Sequence, residues 1–117
     1  MERRNDVPNL LTMYIRNTSE VYNITLFLQN CMIRKINKGI QPQVEYLANC
    51  STMKSIIREA SKLLYKYDGI TPTKQEKQEA AWEHAKYIID SVQYSIKKRN
   101  NNDYRIWHDY AGDYRNK

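Results

Sequence analysis

Histidine is the one side chain whose ordinary pKa lies near neutrality, so acid–base chemistry would be sought first at the two histidines. His84 sits between Glu83 and Ala85, one step off an apolar helical stripe, which is the place of a boundary residue rather than a base. His108 lies in Arg105-Ile106-Trp107-His108-Asp109, with Asp113 close behind. Cys31 and Cys50 are too few for a disulfide framework, and two thiols alone make a poor metal site. They read as buried, reduced cysteines acting as small hydrophobes.

A helical phosphohydrolase would set His108-Asp109 in a metal cage, which needs a second histidine and aspartate at positions that this chain does not provide. Helical ribonucleases pair arginine with histidine at a wider spacing than the three positions separating Arg105 from His108. There is no glycine-rich phosphate loop, no thiol–histidine arrangement and no nucleophile elbow. The expectation is a protein without catalytic residues, metal or cofactor.

What remains is charge and aromatic surface. Lys97-Lys98-Arg99 and the nearby Arg105 form the densest run of cations, and Arg34, Lys35 and Lys38 form a second group. Folding the chain up, down and up again would carry both groups to one pole. Tyr94, Tyr104 and Trp107 would lie near them, a mixture of cation and flat ring that suits phosphates and unstacked bases. The same cations also suit helix C-termini, whose partial negative charge they offset by about 0.3–1 kcal/mol each. Trp107, Tyr110 and Tyr114, with Tyr94 and Tyr104, are the candidate anchors for a protein partner, because aromatic residues and arginine dominate interface hot spots.

These residues must be positioned by helices. Apolar positions at Leu10, Leu11, Tyr14, Thr18, Val21, Ile24, Thr25, Leu28, Cys31, Met32 and Ile36 alternate between spacings of three and four. The pattern predicts a helix over about 7–37, opened by Asp6 and Pro8 and closed by Lys38-Gly39. Between Asn9 and Ile33 its only charges are Arg16 and Glu20, which fits a central helix covered on two sides or one with an uncharged docking face.

A second seam, Tyr46, Cys50, Met53, Ile57, Ala60, Leu64 and Tyr67, predicts a helix over 42–67. Within it, Asn49-Cys50-Ser51-Thr52 is a poor helix interior and a place for a kink. The third helix, 72–99, starts at Thr71-Pro72 or at the capping box of Thr73 and Glu76. It presents Ala81, Trp82, Ala85, Ile88, Ile89, Val92 and Ile96 on one side. A short aromatic helix is expected over 103–111.

Short connections make neighbouring helices antiparallel. The expected fold is therefore all-α, an up-down-up three-helix bundle with a short C-terminal helix, in one domain. Its register sets Tyr14 opposite Tyr67, Val21 opposite Ala60, Ile24 opposite Ile57, Leu28 opposite Met53 and Cys31 opposite Cys50.

Composition narrows the function classes. The chain of 117 residues carries a net charge of +6, which favours acidic partners. Its mean hydropathy of −0.82 and lack of any long apolar run argue against a membrane protein, and no secretory leader is apparent, so the expected setting is cytoplasmic. Ten tyrosines argue against disorder. The expected function is a stoichiometric binding protein that docks on a larger nucleic-acid-handling protein or ribonucleoprotein complex. A small inhibitor or regulator from a phage or mobile element is such a protein, comparable in type, though not in sequence, to anti-CRISPR proteins. Direct RNA or DNA binding through the basic pole and self-assembly, including a homodimer, are the alternatives.

Overall fold

The computed structural model describes residues 6–101, with side chains through 98. Every element in this span is helical: α1 (Val7–Asn17), α2 (Ser19–Asn37), α3 (Val44–Ala48), α4 (Ser51–Asp68) and α5 (Lys74–Asn101). The fold class is all-α as expected, but with five helices where three were predicted. Two of the expected helices are each divided.

The first division falls at Thr18, which is extended at φ −112° and ψ 115°. Its flanks, Asn17 and Ser19, compete with the helix for backbone hydrogen bonds and favour helix ends. The Thr18 carbonyl accepts from the Tyr22 N–H at 2.8 Å and so opens α2. One extended residue redirects the axis without interrupting the apolar stripe, which is why periodicity alone did not reveal it. Asp6 occupies the N-terminal cap of α1, but its side chain makes no capping hydrogen bond.

The second division is at Asn49-Cys50, within the segment flagged as a poor helix interior. Cys50 caps α4 through its sulfur, which accepts from the Met53 N–H at 3.4 Å. Neither cysteine is deeply buried: Cys31 and Cys50 are both half-buried free thiols, and this corrects the expectation of two core hydrophobes. The Arg34 guanidinium lies 3.4 Å from the Cys31 sulfur.

The remaining helix ends follow local chemistry. At the end of α2 the Ile40 N–H donates to the Lys35 carbonyl and the Gly39 N–H to that of Ile36, with Gly39 at φ 89°. This is a Schellman cap, which requires the left-handed backbone that glycine tolerates. Helix α5 begins at Lys74 rather than at Pro72, because Thr73 and Glu76 cap each other reciprocally. The Thr73 N–H donates to Glu76 Oε1 at 2.8 Å, and the Glu76 N–H donates to Thr73 Oγ1 at 3.1 Å. The predicted helix over 103–111 lies outside the described residues.

The core is a single apolar cluster. Val7, Leu11 and Ile15 of α1 share it with Val21, Leu28 and Met32 of α2, Leu47 of α3, and Met53, Ile56, Ala60 and Leu64 of α4. Helix α5 contributes Ala80, Ala81, Ala85, Ile88, Ile89 and Val92. Three predicted seam residues lie elsewhere: Tyr46, Tyr67 and Trp82 are exposed. Tyr14 does meet Tyr67, with stacked rings 6.2 Å apart. Helix α2 is not covered all round, since Phe27 remains 58% exposed beside the exposed Leu26.

Tyr14 also ties two helix ends together. Its hydroxyl donates to Asp68 Oδ2 at 2.6 Å, and this bond, with burial and the carboxylate charge added, pushes the phenol pKa up to about 12. A hydrogen bond to a charged acceptor contributes more than a neutral one, but partial exposure reduces it. Replacing Tyr14 by Phe is expected to lower unfolding stability by about 1 kcal/mol, read from urea denaturation.

Candidate functional site

Helix α4 shows a repeat of four on one flank: Met53, Ile57, Ser61 and Tyr65, with Lys54, Arg58 and Lys62 beside them. Helix α5 answers with Lys74, Lys77, Gln78, Ala81 and Trp82. Between these two faces lies an open groove of about 1220 Å³, lined also by Glu45, Ala48, Asn49, Thr71 and Pro72. Its floor is made of buried aliphatic side chains, Ala48, Met53, Ile57 and Ala81. Ser61, Ala48 and Ala81 are short, so nothing from either helix fills the space.

The rim is cationic. Lys54, Arg58, Lys62, Lys74 and Lys77 line the groove, against one carboxylate, Glu45. Lys62 also lies 3.4 Å from Glu59, an exposed pair of the kind that contributes little. Tyr65 and Trp82 stand on opposite walls, 63% and 43% exposed. Long cationic side chains lay their methylene stems along such a groove while their charged heads stay in water. The arrangement can therefore bind an elongated body that is apolar on one side and negative along its edges.

No protein-family model, curated protein or solved structure matches the chain significantly.

Three of the cations expected at a basic pole have local partners. Lys35 lies 4.8 Å above the Tyr46 ring, and Lys98 lies 5.7 Å from the Tyr94 ring on its own helix. Arg34 turns toward Cys31. Lys38 and Lys97 are exposed. The side chain of Arg99, and Arg105, Tyr104, Trp107, Tyr110 and Tyr114 entirely, lie outside the described residues, as does His108. Sequence reading missed the groove, since it arises between two helices and none of Lys54, Arg58, Lys62, Lys74 or Lys77 had been singled out as a site residue. The available signal was that Lys54, Arg58 and Lys62 recur every four residues beside an apolar seam.

His84 is the main departure from its expected place. It is fully buried, not a boundary residue, with Nε2 2.9 Å from Thr25 Oγ1 in a hydrogen bond whose direction follows the imidazole tautomer. Its Nδ1 has no hydrogen-bond partner among the described residues. The ring stacks on Tyr87 at 5.8 Å, and the Arg16 guanidinium lies over the Tyr87 ring, 4.2 Å from its centroid. Burial, reinforced by the positive charge of Arg16, lowers the imidazole pKa to about 4, so His84 is neutral at pH 7.

Ala80, Ala81 and Ala85 surround His84 in sequence. Such small neighbours let another helix approach closely and bury a residue that stands off the main stripe. Among the described residues no group of three or more histidine, cysteine or acidic side chains could hold a metal ion, and no helix is long and apolar enough to cross a membrane.

Proposed function

We propose that this chain is a non-catalytic docking protein that acts stoichiometrically on a larger partner through the groove between α4 and α5. The observation that carries the reading is the pairing of an unfilled, aliphatic-floored groove with five cations on its rim. An unfilled groove with exposed Tyr65 and Trp82 walls is the kind of surface on which helical modules bind partners. The net charge of +6 favours an acidic partner and suits a nucleic-acid-handling complex.

The up-down-up path is part of this proposal. It is supported by Tyr14 against Tyr67 and by the smaller groove that Val21 and Ile24 share with Glu59 and Leu63. A second reading, direct RNA or DNA contact, draws on the Lys35–Tyr46 and Lys98–Tyr94 pairs, which join cation and ring on the surface.

The test is affinity capture from the source cells with the wild-type chain and with a Lys54→Glu/Lys77→Glu variant. Both lysines are exposed, so the variant should keep its helical circular dichroism. A stoichiometric protein partner retained by the wild type and lost from the variant is the expected result. Equal retention by both would remove the groove from the account.

A further inference from the structure

We infer that the groove takes an acidic amphipathic α-helix of a partner protein, about three turns long. This rests on the reading of the groove as the docking site and specifies its occupant. The shape comes first. From Met53 to Tyr65 the α4 wall runs about 18 Å at 1.5 Å per residue. A helix of three turns is about 16 Å long, so it fits along this open groove of about 1220 Å³. The α4 wall is a row of residues four apart and the α5 wall repeats at three and four, the relief into which the side-chain ridges of a further helix pack.

Charge decides the chemistry. Lys54, Arg58 and Lys62 rise in equal steps of about 6 Å along α4, the same interval that separates carboxylates four residues apart on a facing helix. Lys74 and Lys77 supply cations to the opposite edge. A helix with an apolar stripe and glutamates or aspartates along both flanks would set the stripe against the exposed Tyr65 and Trp82 rings, over the buried Ile57 and Ala81, and its acids against the two rims.

A nucleic-acid single strand fits less well. The two aromatic rings stand on separate walls rather than in a row for successive bases to stack on.

The experiment is a fluorescence titration of Trp82 in the full chain carrying Trp107→Phe, so that one indole reports. The probes are a synthetic amphipathic helix with a leucine stripe and glutamates at intervals of four, its counterpart with lysine for glutamate, and a single-stranded oligonucleotide. The glutamate peptide is expected to bind at least about tenfold more tightly than the other two. The Lys54→Glu/Lys77→Glu variant should weaken it by a similar factor, and Ser61→Trp, which fills the groove without touching its charge, should also weaken it.

Equal binding of glutamate and lysine peptides overturns the inference. So does oligonucleotide binding that is tighter than the peptide's and lost in the same variants. If the charge-reversed variant loses its cellular partner but the glutamate peptide does not bind the wild type, the docking groove stands and the acidic helix falls. If partner capture survives the reversal, both fall.

Discussion

Lowering the pH from 6.5 to 4 is expected to remove about 3 kcal/mol of folding stability through His84 alone. The imidazole is neutral in the fold down to a pKa of about 4, whereas in the unfolded chain it takes a proton at about 6.5. Between these values the unfolded state binds the extra proton, so stability rises with pH across the window and is complete above 6.5. Each pKa unit is worth about 1.4 kcal/mol, which sets the size of the loss.

The control is a Thr25→Val/His84→Leu double variant, which removes both members of the buried polar pair. Removing both partners is close to neutral at pH 7, whereas Thr25→Val alone leaves the imidazole without a partner on either nitrogen and is expected to lower stability by about 1–3 kcal/mol. Urea midpoints measured from pH 7 to 4 should fall more steeply for the wild type than for the double variant. Carboxylates titrate in both proteins, so the difference between the two curves isolates the histidine. Parallel curves would contradict the buried, neutral imidazole.

Leu64→Ala is expected to lower stability by about 3–4 kcal/mol, because Leu64 is fully buried in the shared core and its removal leaves a cavity that helices can only partly close. In a domain whose total stability is of the order of 5–15 kcal/mol this is a large share. The midpoint of thermal unfolding should drop by roughly 15 °C. Phe27→Ala provides the contrast. It removes a larger ring, but one that is 58% exposed on α2, and the change should stay within about 0.5 kcal/mol. Calorimetry of the two variants checks both values. A Phe27→Ala loss as large as that of Leu64→Ala would show that the exposed face of α2 is covered in solution.

The helical class and most of the core were legible in the sequence because both follow from the period of the apolar residues. Met53, Ile57, Ala60 and Leu64 stand in the core as their spacing requires. Local chemistry announced the Gly39 cap, the Thr73–Glu76 box and the weak point at Asn49-Cys50.

Thr18 was harder to see, since an extended residue that preserves the apolar stripe leaves no trace in the periodicity. His84 was misplaced for a related reason. A helix face is as wide as its neighbours allow, and Ala80, Ala81 and Ala85 widen the buried band beyond the large hydrophobic residues. Of the groove, only the recurrence of Lys54, Arg58 and Lys62 along one helix was legible. The groove itself arises from how far apart two helix faces stand, and neither the spacing of Lys54, Arg58 and Lys62 nor that of Lys74 and Lys77 reports that distance.

Amide chemical-shift mapping on the isotope-labelled full chain reads the docking groove residue by residue. With the glutamate-bearing helix added, shifts are expected to concentrate on residues 53–65 and 74–82, with Trp82 among the largest. Shifts confined instead to the cations at 34–38 and 97–98 would place the binding surface elsewhere and contradict the account.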